Sequence, residues 1–187
     1  KYIMGYPLEV HSQIEVLDKV FLEDKFRFPL MNNRLNVLKD KDKSYHNMSL
    51  GLVFLRSKGH PLVLGSLSKQ PRYAKVLQQG MNLINNYDPD FKCTSIQFNK
   101  NYQIVKHIDG RNVGDSYIIA LGDYSGGELI VYDENDKPTY IDINHKFYKF
   151  NGSKYYHEVA DFIGDRISLV FFILSEKNKI PAHQKKK

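Results

Sequence analysis

The chain has 187 residues, of which 42% are hydrophobic and 26% are charged, and its formal net charge is +6. This length and composition fit one globular domain with a sizeable core, and they exclude a chain that is disordered throughout. The positive charge favours an acidic partner, nucleic acid included, although many basic proteins bind no nucleic acid.

The cysteine content and the lack of a long apolar run predict the cellular compartment of the protein and its relation to membranes. Cys93 has no second cysteine to pair with, which excludes an internal disulfide and predicts an intracellular, reducing compartment such as the cytoplasm or the nucleus. No apolar run approaches the ~20 residues that cross a bilayer, so we expect no membrane partner.

The first half of the chain predicts two helices and one hairpin. Residues 12–23 and 71–86 carry apolar residues at helical spacing, and Pro71 stands near the start of the second segment. Between them, residues 39–47 form a charged loop, and residues 49–67 are typical of two short strands around a Ser-Lys-Gly-His-Pro turn.

The second half consists of short β-rich runs separated by Gly, Asn and Asp. These runs are residues 93–99, 116–122, 128–133, 139–143, 146–150, 155–162 and 166–174. Many closely spaced strands after helices predict a mostly β, α+β domain, a sandwich or jelly roll with the helices on its outer face. The expected organisation is one domain over 1–187, with N-terminal support in 1–90, a β core in 91–175 and a basic tail in 176–187.

One stretch of the core, HIDGRNVGDS (107–116), carries residues that suit a metal. On an extended strand, residues i and i+2 point to the same face, so His107 and Asp109 are expected to lie side by side. His157, in the run YYHEVADF, is a candidate third ligand. Two histidines and one carboxylate form the facial triad of non-haem Fe(II) oxygenases, which leaves positions open for an oxidisable co-substrate and O2.

Each of these residues can also be explained without a metal. A His-x-Asp pair occurs often by chance, and His157 between tyrosines fits a satisfied core histidine. Five further histidines, at positions 11, 46, 60, 145 and 183, have no partner at ligand spacing and are predicted to lie on the surface.

Arg166 and Ser168, at the start of RISLVFFIL, favour the metal interpretation. They share one face of a strand that is otherwise made of core residues. An arginine that points into a barrel needs an anionic partner, and a carboxylate held by a bidentate contact is the natural one. Arg166 would lie far from His157 in a simple hairpin, so we expect their two strands to lie in facing sheets.

The order His107-x-Asp109, His157, Arg166-x-Ser168 resembles that of the Fe(II)- and 2-oxoglutarate-dependent dioxygenases, whose fold is a double-stranded β-helix. The resemblance covers about residues 93–174. It implies that His107, Asp109 and His157 bind Fe(II) and that Arg166, with Ser168, holds the distal carboxylate of 2-oxoglutarate. It also implies O2 as second co-substrate, and it places Asn99 at the 2-oxoglutarate and Tyr102 at the substrate.

The motif HIDGRN also resembles the branch that contains the TET methylcytosine dioxygenases and the JBP thymine hydroxylases. The resemblance implies DNA as the partner and a base contact by Asn112. Arg111 stands where the animal TET enzymes have histidine, so it is a further candidate for substrate binding. Six basic residues are expected to form a positive rim for phosphates: Lys69, Arg72, Lys75, Lys100, Lys106 and Arg111.

Two other functions fit the same fold. A hydroxylase of a protein side chain or a small molecule would use the same metal ligands with a different substrate. A non-enzymatic binding module on a degenerate jelly roll is disfavoured, because the three ligands and the arginine are all present.

Overall fold

The computed structural model describes residues 2–23, 26–31, 38–39 and 45–178. It contains two α-helices, α1 (Leu8–Asp18) and α2 (Pro71–Tyr87), and a π-helical segment, Lys19–Glu23, that continues α1. Short 3-10 helices span Leu67–Lys69 and Glu176–Asn178. Among these residues, no helix is both long enough and apolar enough to span a membrane.

The strands have the following bounds: β1 Leu30–Met31, β2 Tyr45–Phe54, β3 Leu62–Leu64, β4 Ser95–Lys100, β5 Ser116–Gly126, β6 Leu129–Tyr132, β7 Pro138–Ile141, β8 Tyr148–Phe150, β9 His157–Val159 and β10 Phe162–Phe172. The described residues form two antiparallel sheets. The major sheet has the order β1-β2-β4-β10-β5-β8, with β3 paired to β2, and the minor sheet has the order β7-β6-β9.

After β4 the chain passes repeatedly from one sheet to the other. β5 lies in the major sheet, β6 and β7 in the minor sheet, β8 in the major, β9 in the minor and β10 in the major. The sheets pack face to face, because Ile118 and Ala120 of β5 share a buried cluster with Leu129 of β6. As the sequence predicts, the strands of His157 and Arg166 therefore belong to different sheets.

The main core lies between the helices and the outer face of the major sheet. Alternation along each strand decides which residues enter it. On β10, Ile167, Leu169 and Phe171 belong to this core with Leu17 of α1 and Leu83 of α2. The residues between them, Ser168 and Val170, face the minor sheet and line a cavity. The period-two pattern thus separates the structural face of the sheet from the face that is free for function.

Most of the predicted elements are confirmed. The second helix, the hairpin of β2 and β3, and a mostly β domain with helices on the outer side of one sheet are as expected. The first helix begins at Leu8, four residues before the predicted start at residue 12. Pro7 stands at its N-cap, where its missing N–H costs no hydrogen bond. Residues 40–44 of the predicted charged loop and residues 179–187 of the predicted tail lie outside the described residues.

The prediction of surface positions is wrong for two histidines. His11 and His145 are buried, at 7% and 6% exposure. His145 Nε2 lies 2.5 Å from Asp18 Oδ2, and His11 stacks on Tyr2 with ring centroids 4.2 Å apart. Both contacts involve residues of the N-terminal segment, so local spacing around either histidine could not reveal them. His183 lies outside the described residues.

Candidate metal centre and cavity

Two histidines and one aspartate meet at the edge of the minor sheet. His107, Asp109 and His157 offer ligand atoms that all lie within 4.8 Å of one another. His107 Nε2 is 3.4 Å from Asp109 Oδ1, and His157 Nε2 is 3.6 Å from Asp109 Oδ2. Adjacent ligands of an octahedral ion lie roughly 3 Å apart when the bonds are about 2.1 Å long. The two contacts at this site are longer than that, and they reach the two different oxygens of one carboxylate.

The backbone holds the two imidazoles in register. His107 and His157 form a single bridge in which each N–H donates to the carbonyl of the other, at 3.0 Å in both directions. Asp109 N donates to the Gly152 carbonyl at 2.9 Å. The motif 107–109 thus adds to the minor sheet beside β9 without forming a continuous strand, which differs from the extended strand that the sequence predicts.

The second nitrogen of each imidazole is also occupied. His107 Nδ1 lies 2.8 Å from the Val105 carbonyl, and His157 Nδ1 lies 3.0 Å from the Tyr155 carbonyl. A carbonyl only accepts, so each Nδ1 carries the proton and each Nε2 keeps a lone pair. Metal-binding histidines in proteins are fixed in the same way by a hydrogen bond from the other ring nitrogen. The donor set fits a divalent first-row metal such as Fe(II).

Gly152 lies against this group of ligands. A Cβ at position 152 would lie 2.7 Å from Asp109 Oδ2 and 3.2 Å from His157 Cε1. Any side chain here would push the carboxylate or the imidazole out of place. The sequence analysis missed Gly152, because Asn-Gly-Ser is typical of any turn and its contacts lie far away along the chain.

A cavity of about 610 Å³ opens beside the three ligands. Its volume is in the range of small-molecule sites. Polar side chains of the major sheet, Gln97, Asn99 and Ser168, form one part of the wall. Apolar side chains form most of the rest, including Phe54, Ile118, Phe150 and Phe172. The three candidate ligands also line the cavity, so a molecule inside it can reach a metal that they bind.

Arg166 is a buried cation with unpaired donors. It is 1% exposed, and its Nε and Nη2 atoms have no hydrogen-bond partner among the described residues. Its guanidinium carbon lies 5.5 Å from the centre of the Tyr124 ring and 5.7 Å from that of Phe162. Burial lowers the pKa of the guanidinium. Buried donors of this kind are costly unless an anion pairs with them, so they fit a carboxylate ligand.

The fold resembles those of three solved oxygenases over most of its length. A 2OG-Fe(II) oxygenase family oxidoreductase from Burkholderia pseudomallei aligns with a TM-score of 0.57 and 18% identity, over 94% of this chain and 84% of that chain. NgTET1, solved in complex with 5mC DNA, aligns with a TM-score of 0.54 and 15% identity, over 94% and 72%. A Pseudomonas putida prolyl-4-hydroxylase aligns with a TM-score of 0.50 and 13% identity, over 90% and 88%.

The chain has the fold of the 2OG-Fe(II) oxygenases. No model of a known protein family matches the sequence, and no curated protein matches it. The similarity to the 2OG-Fe(II) oxygenases is therefore one of fold.

Within this oxygenase fold, Ser168 and Asn99 belong to a buried polar row on the inner face of the major sheet. Asn99 Nδ2 donates to Ser168 Oγ at 3.2 Å, and Gln97 Nε2 donates to Asn99 Oδ1 at 3.0 Å and to Asn47 Oδ1 at 3.2 Å. Asn99, Gln97 and Ser168 line the cavity, whereas Arg166, two residues before Ser168 on the same face of β10, does not. Gln97 and Asn47 were not predicted, because their partners come from neighbouring strands.

Two of the predicted substrate-binding residues, Arg111 and Asn112, line the cavity. They lie two and three residues after Asp109, so the loop that holds this candidate metal ligand also brings them to the wall. Asn112 is held by its main-chain carbonyl, which accepts a hydrogen bond from Ser153 Oγ at 3.0 Å. Its amide makes a long contact of 3.4 Å to Ser116 Oγ. A contact of that length is weak, so the amide can exchange it for a ligand.

Tyr102, the third predicted substrate-binding residue, does not line the cavity. It is 1% exposed and stacks on Tyr45, with ring centroids 4.1 Å apart and hydroxyl oxygens 2.6 Å apart. The pair closes a small apolar cluster with Leu38. In this structure its role is to pack the segment before the metal motif.

Tyr124 and Arg56 were both missed by the sequence analysis. Tyr124 contacts the Arg166 guanidinium, and burial raises the pKa of its hydroxyl. Its segment, GDYSGGEL, is typical of a turn and gives no sign of the arginine opposite. Arg56 lies on the cavity wall at the end of β2. Nothing in the sequence near it indicates this position.

Of the six basic residues predicted to form a rim, Arg111 alone lines the cavity. Lys106 is paired with Asp136 and lies 3.8 Å from the centre of the Tyr132 ring. Lys100 lines a second cavity, of about 470 Å³, beside Phe21 and Phe28. Lys69, Arg72 and Lys75 lie at the start of α2, which packs on the outer face of the major sheet. Of the predicted rim, the structure thus places only Arg111 on the wall of the cavity beside the candidate metal ligands.

Proposed function

We propose that the protein is an Fe(II)- and 2-oxoglutarate-dependent dioxygenase that oxidises the methyl group of a 5-methylpyrimidine, 5-methylcytosine or thymine, in DNA. One observation carries the oxygenase part: a His-Asp-His set in which both imidazoles turn Nε2 towards the carboxylate lies in the same fold as a buried arginine with unpaired donors. The repeated passage of the chain between the two sheets supports a double-stranded β-helix as the fold.

His107, Asp109 and His157 would hold the iron. Three protein ligands on one face leave the opposite face for other molecules, as in non-haem Fe(II) oxygenases. Bound there, Fe(II) supplies oxidation of an unactivated C–H bond at the expense of 2-oxoglutarate and O2. The protein's part is to fix the ligands through backbone hydrogen bonds and to surround the open face with the apolar wall of the cavity.

Arg166 would pair with the distal carboxylate of 2-oxoglutarate. A carboxylate matches the two donors that lack partners, Nε and Nη2, in a bidentate contact. Ser168 and Asn99, already linked to each other, offer further polar contacts on the cavity wall. Binding would give these two buried donors an anionic partner.

The DNA part of the proposal rests on the cavity wall and on one structural neighbour. Asn112 offers an amide that both donates and accepts, which suits the edge of a pyrimidine. Apolar residues around it, such as Ile108 and Phe54, suit the ring and its methyl group. A base must leave the stack to enter such a cavity. NgTET1, which shares the fold, was solved with 5mC DNA.

Mass spectrometry of nucleosides tests the proposal. DNA that carries 5-methylcytosine or thymine is incubated with the protein, Fe(II), 2-oxoglutarate and air, then digested to nucleosides. We expect an oxidised pyrimidine with the wild-type protein, less with Asn112→Ala, and an unchanged yield with Asn135→Ala, an exposed asparagine in the turn between β6 and β7.

The same incubation with peptides and free amino acids tests the second candidate. The fold is shared with a prolyl-4-hydroxylase, so a hydroxylase of a protein side chain is the alternative within the same chemistry. Hydroxylated peptide together with unmodified DNA would contradict the DNA proposal and leave only the oxygenase part.

A further inference from the structure

Two exposed arginines reach the wall of the cavity from different parts of the fold. Arg111 follows the metal ligand Asp109, and Arg56 follows β2 at the tip of the hairpin that β2 forms with β3. Both side chains are exposed as well as lining the cavity, so both lie at its opening.

Neither arginine is neutralised by an acidic group among the described residues. Some surface lysines are paired: Lys39 with Asp161, Lys146 with Asp142, and Lys154 with Glu134. No ion pair or hydrogen bond joins the side chain of Arg56 or Arg111 to a described residue.

The acidic residues on the cavity wall have other roles. Asp109 is a candidate metal ligand, and Glu158 accepts a hydrogen bond from the Tyr132 hydroxyl at 3.0 Å. Neither carboxylate is joined to Arg56 or Arg111, so the two arginines at the opening have no ion-pair partner among the described residues.

The hairpin that carries Arg56 is anchored to the body of the protein. Leu55 N donates to the Pro61 carbonyl at 3.0 Å, which closes the hairpin. Leu62 N donates to Glu176 Oε1 at 2.7 Å, which joins the hairpin to the segment after β10. Phe54, two residues before Arg56, lines the cavity as well. Arg56 is thus presented on the same side as the cavity by a fixed element.

We propose that Arg56 and Arg111 bind the backbone phosphates on the two sides of the nucleotide whose base enters the cavity. This inference rests on the proposed function and identifies the residues that bind the backbone of its DNA substrate. A nucleic-acid strand has a phosphate on each side of every nucleotide, so two cations at one opening suit any sequence. A peptide would meet them only where acidic residues flank the target. Guanidinium groups also match the geometry of phosphate oxygens.

The test is the salt dependence of DNA binding to the metal-free protein. A short fluorescein-labelled single strand with one 5-methylcytosine is titrated, and its anisotropy is followed at several salt concentrations. Each phosphate contact on a single strand contributes about 0.7 to the slope of log K against log salt. We expect Arg56→Ala and Arg111→Ala each to lower the slope by about 0.7, and the double variant to lower it by about 1.4.

Lys58→Ala is the matched control. Lys58 is exposed on the same hairpin, two residues from Arg56, but does not line the cavity. The control should keep the wild-type slope, and Arg56→Lys should keep it too because the charge is retained. Equal slopes in the wild type, Arg56→Ala and Arg111→Ala would overturn the inference, and so would stronger binding of an acidic peptide than of the DNA strand.

The outcomes separate this inference from the proposed function. If the slopes fall as expected but no oxidised pyrimidine forms, the phosphate contacts stand and the assigned chemistry fails. If the wild-type protein oxidises a pyrimidine while both arginine variants show the wild-type slope of log K against log salt, the chemistry stands and the phosphate contacts are wrong.

Discussion

At the scale of single residues, the clearest constraint on the candidate metal centre is the lack of a side chain at position 152. A Cβ there would lie 2.7 Å from Asp109 Oδ2, whereas a Cβ at Gly110, in the metal loop itself, would meet no atom within 4 Å. Neither glycine has a positive φ, so alanine fits the backbone at both positions.

We therefore expect Gly152→Ala to weaken metal binding and Gly110→Ala to leave it unchanged. Disturbing the groups that orient metal ligands costs about 10- to 100-fold in affinity. Titration of each variant with Mn(II), followed by calorimetry, measures the difference. Equal affinities in the two alanine variants would show that Gly152 does not constrain the ligands.

We expect the buried charge of Arg166 to lower the free energy of unfolding of the protein when no 2-oxoglutarate is bound. Replacing a buried ion pair by apolar side chains of similar volume is often neutral or stabilises by about 1–4 kcal/mol, and a buried charge without its partner costs more than a paired one. We expect Arg166→Met to raise or maintain the free energy of unfolding of the ligand-free protein. The same variant should lose the increase in melting temperature that 2-oxoglutarate gives the Mn(II)-loaded wild type, because a ligand stabilises only the state that binds it.

Arg72→Met is the control for this prediction, since Arg72 is exposed on α2. Arg166→Lys should recover only part of the response, because an ammonium cannot form the bidentate contact. An undiminished response to 2-oxoglutarate in Arg166→Met would place the co-substrate elsewhere.

At the scale of elements, α1 is joined to the major sheet by one carboxylate. Asp18 Oδ1 accepts a hydrogen bond from Gly122 N at 3.0 Å, and Asp18 Oδ2 lies 2.5 Å from His145 Nε2. His145 N in turn donates to the Ala120 carbonyl at 2.7 Å. Three separate stretches of the chain therefore meet at Asp18.

We expect Asp18→Ala to lower the free energy of unfolding by about 1.5–3 kcal/mol, the contribution of hydrogen bonds to a charged group. Glu15→Ala, at an exposed position on the same helix, should change it by less than about 0.5 kcal/mol. Urea denaturation of both variants measures the difference. An equal decrease in the free energy of unfolding in both variants would mean that the hydrogen bonds of Asp18 do not stabilise the fold.

The pairing of β4 with β10 can be followed through Cys93. Its thiol lies just before β4, 3.3 Å from the Ser95 carbonyl and 3.7 Å from the Phe172 carbonyl at the end of β10. Burial raises the pKa of this thiol to about 11. An unfolded cysteine has a pKa of about 8.5, and only the thiolate reacts with alkylating reagents.

The folded protein should therefore resist iodoacetamide at pH 8.5, while the urea-unfolded protein reacts quickly. Because the folded pKa is the higher one, the stability that Cys93 contributes is complete below about pH 8.5 and is lost as the pH rises towards 11. Cys93→Ala should remove this part of the alkaline destabilisation. Rapid alkylation of the folded protein at pH 8.5 would contradict the raised pKa of this partly buried thiol.

At the scale of the whole molecule, the sequence predicts the features that depend on local spacing. The pairs at 107 and 109 and at 166 and 168 each need only alternation along an extended segment, and the structure places the first pair beside His157. The second helix needs only its apolar period and Pro71 at its start. Patterns of this kind are visible in a single sequence without knowledge of which distant residues come into contact.

Features that depend on distant contacts were not predictable. Gly152 is constrained by Asp109, Tyr124 by Arg166, and His145 by Asp18. In each case the partner is brought close only by the sheets. Spacing also could not tell that Arg111 lines the cavity while Lys106, five residues earlier, lies over the Tyr132 ring.

The central claim is that His107, Asp109 and His157 hold an iron that couples 2-oxoglutarate and O2 to the oxidation of a substrate. Consumption of 2-oxoglutarate tests it most directly. The wild-type protein with Fe(II) and air should consume 2-oxoglutarate slowly alone and faster with methylated DNA, and a chelator should stop the reaction. His107→Ala should fold, as judged by circular dichroism, and consume none. Equal consumption by the wild type and a folded His107→Ala would contradict the claim.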